Sequence, residues 1–214
     1  MNQVNSLPFH TQSYWEEFYK NKSNLINMND WYFNLSTTKC NLINLSYLKK
    51  DSEILVIGVG NSSVIDDMIQ KNLDYVTLLD FSKILVDYIQ DKYSHVEECS
   101  EWQFLCKDIC QLSIGYKPGD LDEMYDFIFD KGCLDCILTG PQGLELCDKA
   151  LTEIYKTLKV NGIFYMISIG KPEERISTII KTHKWQIEIE KISLENMDEN
   201  DVSYHKDFSK EDNV

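Results

Sequence analysis

The chain has 214 residues, 43% of them hydrophobic, which is enough for one domain with its own core. Its 35 acidic side chains against 21 basic ones give a formal net charge of -14, which repels nucleic acid and suits a small molecule or a basic protein partner. The N-terminus has no apolar signal core and no Arg-rich leader, and no apolar run can span a membrane. With seven cysteines read as reduced thiols, the expectation is a cytoplasmic monomer that meets no membrane.

In chain order, residues 1–11 read as loosely attached. Ser13 to Lys20 carries aromatics at helical spacing, with Ser13 as N-cap. Asp30-Trp31-Tyr32-Phe33 gathers aromatics outside any periodic element, as plugs or as the wall of a ligand site. Leu42, Leu45 and Leu48 share one face of a helix over Ser36 to Leu48. Glu53 to Gly58 reads as a buried parallel strand running into Gly58-Val59-Gly60, with Asn61 and Ser62 as caps of a helix that ends near Asn72. A second strand, Tyr75 to Asp80, leads through Phe81-Ser82 into a helix ending near Tyr93. A third, Trp102 to Cys106, is followed by Lys107-Asp108, and residues 111–123 read as a loop. The fourth, Tyr125 to Asp130, is followed by Lys131-Gly132, and a helix covers Gln142 to Leu158. Asn161-Gly162 turns into a fifth strand, Ile163 to Ile169, and Pro172 opens a helix to about Lys181. Trp185 to Ile192 alternates apolar and polar residues like a half-exposed strand, and Val202 to Phe208 is a weaker strand.

Alternating strands and helices predict an α/β, Rossmann-like, doubly wound and mostly parallel sheet. The last two segments would make it seven-stranded with an antiparallel edge. Residues 1–50 form an N-terminal segment and helical cap packed on the core, 51–208 the core, and 209–214 a tail, in a single domain.

Open parallel sheets bind ligands outside the carboxyl ends of their strands. Gly58, Gly60, Asp80, Asp108 and Asp130 all fall at such ends. Asp80 stands 20 residues beyond Gly60, where a carboxylate with two acceptor oxygens matches the cis-diol of a ribose. A strand-end Asp can equally cap a turn; the glycines upstream favour the ribose role. Ser63 replaces the third glycine of a dinucleotide turn, and the surrounding acids suit a cationic nucleoside better than a pyrophosphate. S-adenosylmethionine is such a nucleoside. Cys133-x-x-Cys136 has no second pair to complete a metal set, so no metal is expected.

Four stretches carry a narrower likeness: Ile54 to Ser62, Asp80-Phe81-Ser82, Trp102 to Asp108, and, most distinctive, Asp126-Phe127-Ile128-Phe129-Asp130-Lys131-Gly132-Cys133-Leu134-Asp135. With Tyr14 to Tyr19 and Asp30-Trp31-Tyr32, the chain from about residue 13 to 192 resembles the class I S-adenosylmethionine-dependent methyltransferases. It is most similar to the small protein-lysine methyltransferases related to those acting on translation elongation factor one-alpha. The resemblance implies S-adenosylmethionine as cofactor, S-adenosylhomocysteine as product, and a basic protein such as elongation factor one-alpha as substrate. It implies that Gly58 and Gly60 pass beneath the methionine part, Asp80 holds the ribose, Phe81 and Ile109 flank the adenine, and Asp108 takes the adenine amino group. Trp15, Tyr19, Trp31, Asn61, Ser82, Asp130 and Lys131 complete the implied cofactor set. Asp130, Trp31 and Tyr32 are the implied catalytic residues, with Asp130 or Asp135 orienting an amine that aromatic walls keep neutral. Val59 stands where relatives often have Cys, and Cys133 where Thr is common. The alternatives are a methyltransferase of a small amine, thiol or lipid, and a non-catalytic S-adenosylmethionine-binding scaffold. A nicotinamide dehydrogenase is set back by Ser63, and an RNA methyltransferase by the charge and by Asp130-Lys131-Gly132-Cys133 in place of an Asn-Pro-Pro-Tyr-like tetrad.

Overall fold

A computed structural model of the chain describes residues 7–27, 30–32, 48–179, 181 and 183–189. Helix α1 (Gln12–Lys20) starts at Thr11, whose hydroxyl accepts the Tyr14 N–H, so the cap lies two residues before the expected Ser13. Residues 7–11 are not loose: Phe9 N–H donates to Leu7 O at 2.8 Å and Thr11 N–H to Pro8 O at 3.0 Å, a turn that leads into α1. A short helix α2 (Lys22–Ile26) follows.

Five parallel strands make the sheet: β1 (Glu53–Ile57), β2 (Tyr75–Asp80), β3 (Gln103–Cys106), β4 (Tyr125–Lys131) and β5 (Leu158–Ile167), in the order β3-β2-β1-β4-β5. The central strands are apolar because both of their faces are covered. Ile54 and Val56 pack with Trp15, Val64, Met68, Leu85 and Ile89, which are carried by α1, α3 (Val64–Gln70) and α4 (Lys83–Tyr93). Leu55 and Ile57 point the other way, onto Leu134, Cys147, Leu151 and Ile154 of α5 (Cys133–Leu138) and α6 (Gly143–Thr157). The last helix among the described residues is α7 (Pro172–Ile179), against α6.

The sheet therefore has five strands, not seven, and no antiparallel edge among the described residues. Trp185 to Ile189 is not a strand: His183 stacks on Tyr155 of α6 at 4.3 Å, and Trp185 meets the same ring edge-on at 5.1 Å. Trp185 goes to side-chain packing rather than to pairing with β5, and Ile187 and Ile189 are exposed. The helix expected over residues 36–48 lies outside the described residues up to Tyr47, as do the strand expected at 202–208 and the tail.

Three local departures have clear causes. Helix α3 begins at Val64, with Ser62 Oγ accepting the Val64 N–H at 3.3 Å and Asp30 the Ser63 N–H at 3.2 Å, while the Asn61 amide donates to Leu25 O at 2.7 Å and Asn27 O at 2.6 Å. Helix α5 was not expected; Gly132, at φ +88°, turns β4 straight into it. Strand β5 begins at Leu158, and Asn161-Gly162 sits in a bulge within it. Tyr125 and Phe127 of β4 pair with Leu158 and Ile163, so residues 159–162 arch out, with Asn161 at φ +64°. No helix of the described residues is long and apolar enough to cross a membrane.

Candidate active site

β1 has β2 on one side and β4 on the other, so successive connections leave it in opposite directions and open a crevice at its carboxyl end. Ile57 is in register with both Leu79 and Asp130, which brings three strand ends level. The crevice is a cleft of about 900 Å³, including the part open to solvent.

The floor is the turn after β1. Gly58 and Gly60 lie at φ +55° and +57°, which side chains resist, and a Cβ on Gly58 would stand 2.7 Å from Cys133 Cβ. Gly60 N–H donates to Asp80 Oδ2 at 3.2 Å, and Ser82 N–H to Asp80 Oδ1 at 2.9 Å. Asp80 is 6% exposed; burial pushes its carboxyl up to about 6, against the pull of those N–H donors. Each oxygen keeps a further lone pair for a ligand diol. Beside it, Phe81, Asp108 and Ile109 line the cleft, and Asp108 accepts the Cys110 N–H at 2.9 Å, which fixes its rotamer.

An aromatic wall closes the opposite side: Phe9, Trp15, Tyr19 and Trp31 all line the cleft. The Trp15 indole donates to Phe9 O at 2.7 Å, and Trp31 meets Phe9 and Trp15 at 5.3 and 5.5 Å between ring centroids. Helix α1 is bolted to the start of α4. Gln12 Nε2 donates to Phe81 O at 2.6 Å, and the Glu16 carboxylate accepts the Lys83 N–H at 2.7 Å and the Ser82 hydroxyl at 3.3 Å. Phe9, Gln12 and Glu16 escaped the sequence reading as site residues; the partners of Gln12 and Glu16 are remote in the chain.

At the end of β4, the expected set divides. Lys131, Gly132, Cys133, Cys136 and Ile137 line the cleft. Asp130 does not. It is fully buried, accepts N–H groups from Cys133 at 2.7 Å and Leu134 at 3.4 Å, and burial holds its carboxyl up at about 8. Placed behind the floor as the cap of α5, it is out of reach of a ligand amine. Tyr32 likewise lines no cleft: its hydroxyl donates to Asp135 Oδ2 at 2.6 Å. Asn61 and Ser82 are buried supports of α2 and α4 rather than cleft residues. Lys131 donates to Asp30 at 2.5 Å, and burial draws its pKa below the usual lysine value. Burial also pushes both cysteines of the CxxC up, Cys136 to about 12, which keeps them as thiols. Among the described residues there is no group of three or more His, Cys, Asp or Glu that could hold a metal ion.

No protein-family model matches the chain. Curated relatives do. Over 168 residues, 78% of this chain, it is 25% identical to the eEF1A lysine and N-terminal methyltransferase of Mus musculus, though the matched stretch is only 22% of that protein's length. It is 27% identical over 144 residues to the EEF1A lysine methyltransferase 4 of Bos taurus, covering 64% of this chain and 53% of that one. Among solved structures, an S-adenosylmethionine-dependent methyltransferase from Methanosarcina mazei overlays 62% of this chain and 59% of its own at a TM-score of 0.46 and 18% identity, a likeness too slight to speak to chemistry. By sequence, the chain is thus similar to proteins named as eEF1A lysine methyltransferases, at 25–27% identity over parts of their length.

Proposed function

We propose that this chain binds S-adenosylmethionine in the cleft and transfers its methyl group to a lysine amine of a basic protein, acting in the cytoplasm as a monomer. One observation carries the choice of ligand. The cleft presents Asp80 and Asp108, while its two lysines are both turned to protein acceptors, Lys107 to Leu112 O and Ile114 O, Lys131 to Asp30. Such a lining favours a nucleoside without phosphate that carries positive charge. The glycine turn, whose backbone a ligand can approach closely, fits the same molecule.

When bound, S-adenosylmethionine supplies a methyl group on a sulfonium, open to in-line displacement by a nucleophile. The chain's own work is positioning, which can supply on the order of 7–11 kcal/mol of a barrier. Asp80 would take the ribose hydroxyls, Phe81 and Ile109 the faces of the adenine, and Asp108 its amino group. Phe9, Trp15, Tyr19 and Trp31 would exclude water. A lysine amine, with an unperturbed pKa of about 10.4, must be neutral to react, and an aromatic wall disfavours its charged form until methylation makes it a cation for the ring faces to hold. With Asp130 buried behind the floor, the amine is left to the wall and to the backbone around Gly132.

The names of the relatives and the excess of 35 acidic over 21 basic side chains support elongation factor one-alpha as the substrate, drawn in electrostatically. The mouse relative's name adds a second acceptor, a protein N-terminal amine. Calorimetry with S-adenosylhomocysteine should show binding that Asp80→Ala largely abolishes. Labelled S-adenosylmethionine and a lysate should then mark a basic protein, with the labelled residue identified by digestion. Label confined to small molecules overturns the protein substrate, and label on an N-terminal residue moves the acceptor to the α-amine.

A further inference from the structure

Two short stretches, Asp30-Trp31-Tyr32 and Lys131 to Asp135, lock together across about a hundred residues of chain. Trp31, the cleft residue between Asp30 and Tyr32, has an anchor on each side. On one side Asp30 accepts from Lys131 Nζ at 2.5 Å, from the Ser62 hydroxyl at 2.5 Å and from Ser63 N–H at 3.2 Å; the Asp30 and Lys131 side chains are 7% and 6% exposed. On the other, Tyr32 Oη donates to Asp135 Oδ2 at 2.6 Å. Asp135 is itself gripped by Arg175 at 2.7 Å, the Ser168 hydroxyl at 2.7 Å and Ile169 N–H at 3.1 Å. Gly132 sits between the anchors, bare of side chain: a Cβ there would stand 2.9 Å from Tyr32 Oη. Tyr32 holds φ +71°, a conformation that non-glycine residues avoid unless their surroundings impose it.

Buried ion pairs gain little stability over apolar packing, because desolvating two charges offsets most of their attraction. What a buried pair with every oxygen engaged does supply is one geometry. Two such anchors flanking a single exposed-to-cleft indole are far more than is needed to hold a three-residue turn. They are what is needed to hold the indole plane still.

We infer that Asp30 and Asp135 are positioning residues that clamp Trp31, through Lys131 and Tyr32, and so set the aromatic face past which the methyl acceptor must approach. The inference rests on the cleft being a methyltransferase site, because only there does the plane of Trp31 bear on a reaction rather than on binding alone. It assigns the clamp to acceptor use and not to cofactor affinity. The cofactor contacts at Asp80 and Asp108 lie on other strand ends; Asp30 also holds Ser62 and Ser63 just past the glycine turn, whereas the Tyr32–Asp135 bond lies off that turn, so Tyr32→Phe is the variant that separates acceptor use from cofactor affinity.

The test uses the whole chain with its four tryptophans replaced by fluorotryptophan and read by fluorine NMR. Trp31 is assigned by its loss in Trp31→Phe. Trp102, buried with its indole N–H on Leu73 O at 2.9 Å, reports on the fold. In Tyr32→Phe, and separately in the isosteric Asp30→Asn, the Trp102 signal should stay and the Trp31 signal should shift and broaden. In Tyr32→Phe, affinity for S-adenosylhomocysteine should hold within about twofold while kcat/KM for the protein acceptor falls about tenfold or more, the scale of a lost hydrogen bond to a charged group. An unmoved Trp31 signal in both variants overturns the clamp. So does, in Tyr32→Phe, a Trp31 signal that moves with acceptor kinetics unchanged, or a loss of activity matched by an equal loss of S-adenosylhomocysteine affinity. Wild-type protein that transfers no methyl group to any acceptor fails the functional reading instead, and the Trp31 signal still decides whether the clamp exists.

Discussion

Lowering the pH from 7 to 5 should weaken S-adenosylhomocysteine binding about tenfold, through Asp80 alone. In the free protein, burial pushes the Asp80 carboxyl up to about 6. Because the value is raised, the carboxylate is the form lost as pH falls through 6. At pH 7 about ten in eleven molecules carry the ion, and at pH 5 about one in eleven. Gly60 N–H and Ser82 N–H already occupy one lone pair on each oxygen, so a ribose diol needs the remaining pair on both, which only the ionised form provides. Apparent affinity follows the competent fraction, hence a factor of about ten. Asp80→Asn should lose binding at pH 7 by about one to two orders of magnitude, the worth of one charged hydrogen bond, and its remaining affinity should be flat across the range. Isothermal calorimetry at half-unit steps in one buffer series measures both. A wild-type profile that is flat, or a slope that survives in Asp80→Asn, would refute the assignment of the ribose to Asp80.

Other expectations follow from the same geometry. Gly58→Ala should destabilise the protein by at least about 1–2 kcal/mol for the left-handed backbone, more for the 2.7 Å approach to Cys133, and abolish ligand binding; adding Cys133→Gly relieves the contact but not the backbone, so thermal melting should recover only in part. Glu16→Ala removes the acceptor for Lys83 N–H and Ile84 N–H at the start of α4 and should cost about 0.5–2 kcal/mol in urea unfolding, with Glu16→Gln losing less. Asp130, held up at about 8, stabilises the fold most at low pH, and that contribution erodes by up to about 1.4 kcal/mol per pH unit between the ordinary Asp value and 8. Asp130→Asn should flatten the fall in denaturation midpoint between pH 5 and 8, and an unchanged slope counts against that burial.

The central strands were legible because burial on both faces leaves an apolar run with little else to be: Ile54, Leu55, Phe127 and Ile128 are all fully enclosed. The cleft positions of Gly58 and Asp80 were legible for the same reason, since each ends such a run where it meets the cleft, whereas Asp108 follows the half-exposed edge strand β3. Asp130 shows the limit of that rule. It also ends a buried run, yet its carboxylate turns back to cap α5, and nothing in local spacing tells a cap from a ligand. Trp185 to Ile189 misled for a different reason: the alternation suggested a buried face, yet only Trp185 packs, on Tyr155, while Ile187 and Ile189 are exposed. The polar contacts that build the site join residues far apart, Glu16 to Lys83, Asp30 to Lys131, Tyr32 to Asp135, and periodicity is blind to these.

Helix α1 has nine residues, below the ~12–15 at which an isolated helix holds together in water. Its helicity therefore depends on docking, through Gln12 and Glu16 at the start of α4 and through Trp15 and Tyr19 in the core. Undocking α1 and melting α1 are one event, and that event carries away Trp15 and Tyr19 while the sheet stays folded. A molecule resting against those two rings is consequently a molecule that folds a helix. Its occupancy should be readable as slowed amide exchange in residues 12–20, in a cooperative unit whose opening is independent of the strands.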